Sequence, residues 1–261
     1  NFKKNWEFTK INKINKKVPK ICLIMPIWKR PELTKKVMEH YMKMKIKLKG
    51  KIDLINIAIG SEGERTRKMS EKFNFQYLEY MNSPLSRKWD AGIMESKKYD
   101  PDAVLIVGSD DIIDSDLLIS LLGKLTEGRL VVGILDFYIF DSKKEKLMYW
   151  PGYEKLNHRH GETIGLCRLI SKDLLVKLNY KIWEDLEIDK GLDLAMTNKF
   201  IQFGLLPMHN SNEVFIKIGN NRISLAHSGF YLKELSGFAI DIKSDLNITL
   251  IESYKMKNKN N

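Results

Sequence analysis

Ala103-Val104-Leu105-Ile106-Val107-Gly108-Ser109-Asp110-Asp111 is a short apolar run that stops on two adjacent carboxylates. The run reads as a buried strand, and Asp110 and Asp111 then sit at its exposed carboxyl end. Two neighbouring carboxylates repel, and neither tolerates burial without a partner. At the carboxyl edge of an open α/β sheet, where ligands bind, the fitting partner is a divalent cation. Hard cations such as Mg²⁺ or Mn²⁺ take carboxylate oxygens and keep positions open for substrate phosphates. The competing reading is that Asp111 only caps a helix starting near Asp114 and Ser115.

Upstream of that strand the pattern is strand and helix in alternation. Ile21–Ile27 is a continuous apolar run that contains Pro26, as expected of a strand buried on both faces. Pro31 and Glu32 open a helix with Leu33, Val37, Tyr41, Met44 and Leu48 at helical spacing. The alternation of Met42–Lys51 leaves its end undefined. Ile52–Ile59 is a second strand, followed by a Gly60-Ser61-Glu62-Gly63 loop, a helix over 64–74 and a strand over Phe75–Tyr80. Pro84 precedes a helix over 86–98, and Ala103–Val107 is the fourth strand. Such units predict a largely parallel sheet. Beyond it, Leu130–Asp141, a turn at Ser142–Glu145 and Lys146–Trp150 read as a long hairpin. Helices near 171–178 and 191–203 and a strand over Glu213–Ile218 follow.

The 261 residues, 43% apolar and 30% charged, suit a soluble globular chain with room for a core. The apolar runs are too short to cross a bilayer and no signal-peptide pattern is visible, so a cytoplasmic chain is expected. Cys22 and Cys167, isolated in apolar segments, read as buried reduced thiols. Residues 1–51 hold 16 of the 44 basic residues and only 3 of the 33 acidic ones, so the net charge of +11 belongs to this region. Either it is a solvated lysine-rich face, or it makes the chain peripheral to an anionic membrane. Nucleic acid is disfavoured, because no binding motif accompanies the charge and the remaining chain is close to neutral.

Three short motifs in order carry a family resemblance: Pro26-Ile27-Trp28-Lys29-Arg30-Pro31, Lys88-Trp89-Asp90-Ala91-Gly92 and Gly108-Ser109-Asp110-Asp111. Over roughly residues 20–205 the chain resembles glycosyltransferases of the GT-A fold, most of all the inverting family 2. The resemblance implies an α/β fold with a Rossmann-like nucleotide-sugar half (20–111) and an acceptor half (112–250) in one catalytic domain, between a basic arm (1–19) and a polar tail (251–261). It implies transfer of a sugar from a nucleotide diphosphate, a UDP-sugar foremost, to a glycan, lipid-linked or protein acceptor, with Mn²⁺ or Mg²⁺. Pro26, Trp28, Arg30, Ser61, Glu62, Lys88, Ser109 and Asp110 would line the donor site. Asp110 and Asp111, with His227, would hold the metal. The general base would be an acid opening a helix in the second half. Asp193 is the first choice, since Gly191-Leu192-Asp193 leads into an apolar helix, with Asp185 and Asp189 as alternatives.

The chain departs from the family at three points. Gly108 replaces the first acid of the signature, Ser61 and Glu62 stand where an acid often meets the nucleobase, and Asp90 replaces a common Asn. Trp150-Pro151-Gly152-Tyr153 reads equally as an acceptor platform or as packing, and His158 and His160 as solvent-facing. A binding module with an impaired site and a sugar-1-phosphate nucleotidyltransferase are the alternative functions. The latter is disfavoured because no glycine lies between Pro26 and Pro31.

Overall fold

The computed structural model describes residues 18–157, 159–184, 186–202, 215–218, 221–224 and 228–244, with only the backbone of 201, 215–218 and 221–224. Its first half is the alternation that the sequence predicts. The elements are β1 (Lys20–Pro26), α1 (Pro31–Lys47), β2 (Asp53–Gly60), α2 (Glu64–Lys72), β3 (Gln76–Glu79), α3 (Leu85–Ser96) and β4 (Ala103–Ile106). The second half adds β5 (Asp111–Ile113), α4 (Ser115–Thr126), β6 (Val131–Ile134), β7 (Phe137–Asp141) and β8 (Lys146–Trp150). It continues with β9 (Arg168–Ser171), α5 (Lys172–Lys177), α6 (Leu192–Gln202), β10 (Phe215–Ile218), β11 (Asn221–Ser224), β12 (Gly229–Phe230) and β13 (Ala239–Lys243).

The main sheet has the order β12-β6-β9-β4-β1-β2-β3. Strands β4, β1, β2 and β3 are parallel, while β9 runs antiparallel to both β4 and β6. One sheet therefore joins the two halves of the chain. β1 lies near its middle, and its apolar run feeds both faces. Ile21, Leu23 and Met25 pack with Val37, Met38 and Tyr41 of α1, while Cys22 and Ile24 pack with Trp89 and Ile93 of α3. Each such side chain fully removed from water contributes about 1.5–3 kcal/mol.

Gly92 belongs to this packing. A Cβ there would lie 2.3 Å from Ile59 Cδ1 and 2.7 Å from Ile24 Cγ2, so the glycine lets α3 sit close against β1 and β2. Gly92→Val is expected to cost roughly 1–3 kcal/mol through overpacking, read as a lowered urea midpoint. An unchanged midpoint would show that α3 can move away freely.

Two expectations need correction. Residues 130–141 are not one hairpin arm: β6 joins the main sheet, and β7 pairs with β8 in a second sheet of order β5-β13-β7-β8. The break falls at Leu135-Asp136, where the buried Asp136 accepts hydrogen bonds from the Leu232 amide (2.6 Å) and the Tyr149 hydroxyl. Asp111 is not a helix cap. Asp114 caps α4, accepting from the Leu117 amide at 3.0 Å, while Asp111 opens β5 and pairs with Asp241 of β13. Cys22 and Cys167 are buried free thiols, and no described helix is long and apolar enough to cross a membrane.

Candidate active site

The loop after β1 turns back on the end of β4. Lys29 and Arg30 both take left-handed backbone angles (φ 53° and 48°) before Pro31 starts α1. This turn aims the Arg30 guanidinium at the acidic strand end, where Nη1 donates to Asp110 Oδ2 at 3.0 Å and Nη2 to Ser109 Oγ at 2.9 Å. The Lys29 amide donates to Glu62 Oε2 at 2.9 Å, tying the β1 loop to the β2 loop. Arg30, Ser109, Asp110 and Glu62, separate in sequence, are thus assembled at one edge.

Asp111 faces inward. Its Oδ2 accepts the Gly108 amide at 2.6 Å, and its main-chain carbonyl accepts the Tyr41 hydroxyl at 2.9 Å. A Cβ on Gly108 would lie 2.7 Å from Asp110 Oδ1 and 2.8 Å from Asp111 Oδ2. Glycine at the first signature position leaves the room that these two carboxylates occupy. Asp241 joins them from β13. Its Oδ1 is buried without a hydrogen-bond partner among the described residues, while Lys243 pairs with Oδ2. Burial pushes the Asp241 carboxyl up to about 6, with Asp110 adding to the rise and Lys243 opposing it. Burial, then the charges of Asp110 and Asp241, hold the Asp111 carboxyl well above the usual carboxylate range. Asp111 is only half-buried by surface area, but its carboxyl is tightly enclosed, and desolvation governs it.

Three carboxylates against the two cations Arg30 and Lys243 make a hard-oxygen donor set, the chemistry that Mg²⁺ and Mn²⁺ prefer. Among the described residues no three His, Cys, Asp or Glu side chains are placed to hold a metal ion by themselves. One or two carboxylates suffice for Mg²⁺ when substrate phosphates and water complete its shell. The residues therefore fit a metal that arrives with a diphosphate. His227 and Asp185 lie outside the described residues, as do His158, the arm up to residue 17 and the tail.

Beside this edge is an open cleft of about 520 Å³ lined by Trp28, Ser61, Glu79, Tyr80, Met81 and Asn82. Trp28 is 45% exposed, and the Ser61 hydroxyl is buried with no partner among the described residues. Lys88, fully buried, reaches from α3 to the carbonyl of Ile27 (2.8 Å) and Asn82 Oδ1 (3.0 Å), fixing the cleft floor rather than facing solvent. Because Asn82 Oδ1 takes that bond, its amide NH₂ is left for other acceptors. Asn82, Glu79 and Tyr80 bear no mark of a site in the sequence, because their place in the cleft follows from where the end of β3 lies in the fold.

Burial pushes the Lys88 ammonium down to about 8, with the charge of Glu62 partly offsetting the fall. Below pH 8 both folded and unfolded chains are protonated, and the fold bears the full burial cost. From pH 8 towards 10.5 the unfolded chain keeps a proton that the fold has released, so stability rises with pH. Relative to Lys88→Met, the native chain should gain on the order of 1–2 kcal/mol between pH 8 and 9.5 in denaturant melts. A pH-independent difference would contradict this environment for Lys88.

The remaining acids separate by role. Asp189 accepts from Ser83 Oγ (2.9 Å) and the Leu85 amide (2.7 Å), so it holds the start of α3. Asp90, the replacement for Asn, accepts the amides of Ile182, Trp183 and Glu184 and fastens the segment leading to α6. Asp193 stands in the first turn of α6. Its carboxylate takes no hydrogen bond among the described residues and lies against Gly165, where a Cβ would be 2.1 Å from Oδ1. The antiparallel register ends at Ile106↔Arg168, so β9 begins, three residues after Gly165, at the end of β4 that leads into the acidic pair. The charge of Asp111 is felt at Cys167, two residues from Gly165. Asp193 and the Asp110–Asp111 pair therefore approach the same sheet edge from different elements.

No protein-family model matches the sequence, and comparison with curated proteins finds no match. Solved structures do match. S. aureus TarS 1–349 in complex with UDP-GlcNAc is similar over 87% of this chain and 60% of that chain, with 15% identity and a TM-score of 0.54. Its complex with UDP is similar over 86% and 61%, with the same identity and TM-score. TarS is a GT-A type glycosyltransferase. This chain has a GT-A fold. It spans about 60% of the TarS structure's length, and at this identity the likeness extends to the fold alone.

Within the GT-A frame the other sequence readings find their places. Trp150 is buried and makes edge contacts with Phe137 (5.2 Å) and Tyr153 (5.1 Å), so this segment is packing rather than an open platform. His160 is exposed, its ring Nδ1 beside the Tyr153 carbonyl.

Proposed function

We propose that the chain is a metal-dependent, inverting glycosyltransferase that moves a sugar from a UDP-sugar to an acceptor hydroxyl. The observation that carries this reading is the approach of Asp193 and the Asp110–Asp111 pair to one sheet edge beside an open cleft. The UDP and UDP-GlcNAc complexes of TarS support the choice of donor class.

In this reading Trp28 and Tyr80 flank the nucleobase, while Ser61 and the Asn82 amide meet its polar edge. Arg30 exchanges part of its bond with Asp110 for the donor diphosphate, where a fork of N–H donors matches phosphate oxygens. Asp110 and Asp111 would hold Mn²⁺ or Mg²⁺, which supplies charge neutralisation for the departing diphosphate. Asp193 accepts the acceptor's hydroxyl proton as its oxygen attacks the anomeric carbon, and the bond to the diphosphate breaks on the opposite face. A glycan, lipid-linked or protein hydroxyl would serve as acceptor. An impaired binding module would share the nucleotide contacts and differ only at the transfer step, so UDP release from UDP-sugars separates the two.

The basic region supports a surface contact as part of the same proposal. Lys43, Lys47, Lys49 and Lys51 are exposed around the 68%-exposed Ile46, at the end of α1 remote from Arg30. Lysines around an apolar side chain suit an anionic lipid surface, at about 1 kcal/mol per charge near it. Reversing these four charges to Glu should abolish sedimentation with phosphatidylserine vesicles at low salt. Unchanged sedimentation would remove that partner.

A further inference from the structure

Arg168 is an expensive residue where it stands. It is 1% exposed, and among the described residues all its hydrogen bonds go to neutral acceptors. Nε donates to the Ile164 carbonyl at 3.0 Å, and Nη2 to the Thr163 carbonyl and to Thr197 Oγ1 at 3.5 Å. Nη1 donates to the Asp193 carbonyl at 3.2 Å and to Met196 Sδ at 3.0 Å. Burying a guanidinium without a directly bonded carboxylate costs several kcal/mol, and an apolar side chain would fill a core site at no such cost.

The five contacts have a common effect. Two fix the segment 163–164, which leads to Gly165, and three fix the first two turns of α6, which carries Asp193. Thr197 Oγ1 reinforces the second group by donating to the same Asp193 carbonyl at 3.0 Å. The rigid pair of segments then closes on the Asp193 carboxylate, which occupies the space a Cβ on residue 165 would need. Burial lowers the Arg168 affinity for its proton, and the charge of Asp193 is the largest opposing influence.

We infer that Gly165 and Arg168 are positioning residues for Asp193: glycine provides the seat of the carboxylate, and the guanidinium rivets the seat to the helix that bears the acid. The inference rests on the reading of Asp193 as base. It assigns a purpose to a buried charge and a glycine that the fold alone does not require. Displacing a reacting group by about 1 Å costs on the order of a hundredfold in rate.

The test follows UDP release with Mn²⁺ from a panel of UDP-sugars including UDP-GlcNAc. Gly165→Ala forces the carboxylate off its seat and leaves every donor-site residue intact. It should lower kcat about a hundredfold with the donor KM unchanged, and keep the melting-temperature rise given by UDP with Mn²⁺. Thr197→Val, nearly isosteric, loosens the rivet and should lower kcat roughly fivefold, again without a KM change. Wild-type kcat in Gly165→Ala overturns the inference, as does a parallel change of KM and kcat, which marks a general disturbance. If Gly165→Ala does not fold, wild-type kcat in Thr197→Val overturns it. Asp193→Asn keeps the two readings apart: an active variant sinks the base, whereas an inactive one beside an active Gly165→Ala sinks only the positioning.

Discussion

Asp193→Asn should lower sugar transfer by about a thousandfold while leaving donor binding intact. General-base catalysis contributes between about 10² and 10⁴ in rate, and the amide has the same shape but cannot accept the proton. The structure makes this a clean substitution. The Asp193 carboxylate takes no hydrogen bond among the described residues, while its main-chain carbonyl, which Arg168 and Thr197 hold, is unaltered by the change. The hydrogen bonds are therefore kept, while loss of the charge that favours the buried Arg168 guanidinium should lower stability, and the rise in melting temperature with UDP and Mn²⁺ should still match the native chain. Asp189→Ala gives the contrast. Its carboxylate caps the start of α3 through Ser83 and Leu85, so its loss should cost stability, about 1 kcal/mol for a cap, rather than the chemical step. Transfer at the native rate in Asp193→Asn would rule this residue out as base.

Asp110→Ala should abolish the metal dependence of nucleotide binding. In the native chain UDP with Mn²⁺ should raise the melting temperature, while Mn²⁺ alone should do little, because the described side chains do not complete a metal site without phosphates. Removing Asp110 would take away one proposed metal ligand and free Arg30, whose Nη1 it holds at 3.0 Å. UDP should then bind weakly through Arg30 and the cleft, equally with and without Mn²⁺. A metal-dependent shift that survives in Asp110→Ala would remove this residue from the metal site.

Much of the architecture is legible in the sequence because β1, β2 and β4 are buried runs. Their apolar continuity is the direct imprint of a parallel sheet covered on both faces. The pair at 110–111 is legible for the same reason: charge following a buried run marks an edge. The rest depends on partners far away in the chain. Nothing near Asp136 announces a strand break, since its ligand amide is that of Leu232. Asp241 and Lys243 look like solvent-facing residues, yet they neutralise each other inside β13, so that strand escapes notice. Arg168 reads as a surface residue until Asp193 and Thr197 are folded over it. Asp193 stands out from Asp189 in the sequence only by the apolar helix that follows it, and the part Asp189 plays is seen only when the start of α3 is folded against it.

The most direct measurement is incubation of the full chain with a panel of α-linked UDP-sugars and Mn²⁺, followed by NMR of the released sugar or glycoside. The account predicts UDP release that requires the divalent ion, is lost in Asp193→Asn, and yields the β-anomer from at least one donor. An α-anomeric product would contradict inversion, and absence of UDP release from every donor would contradict the enzyme itself.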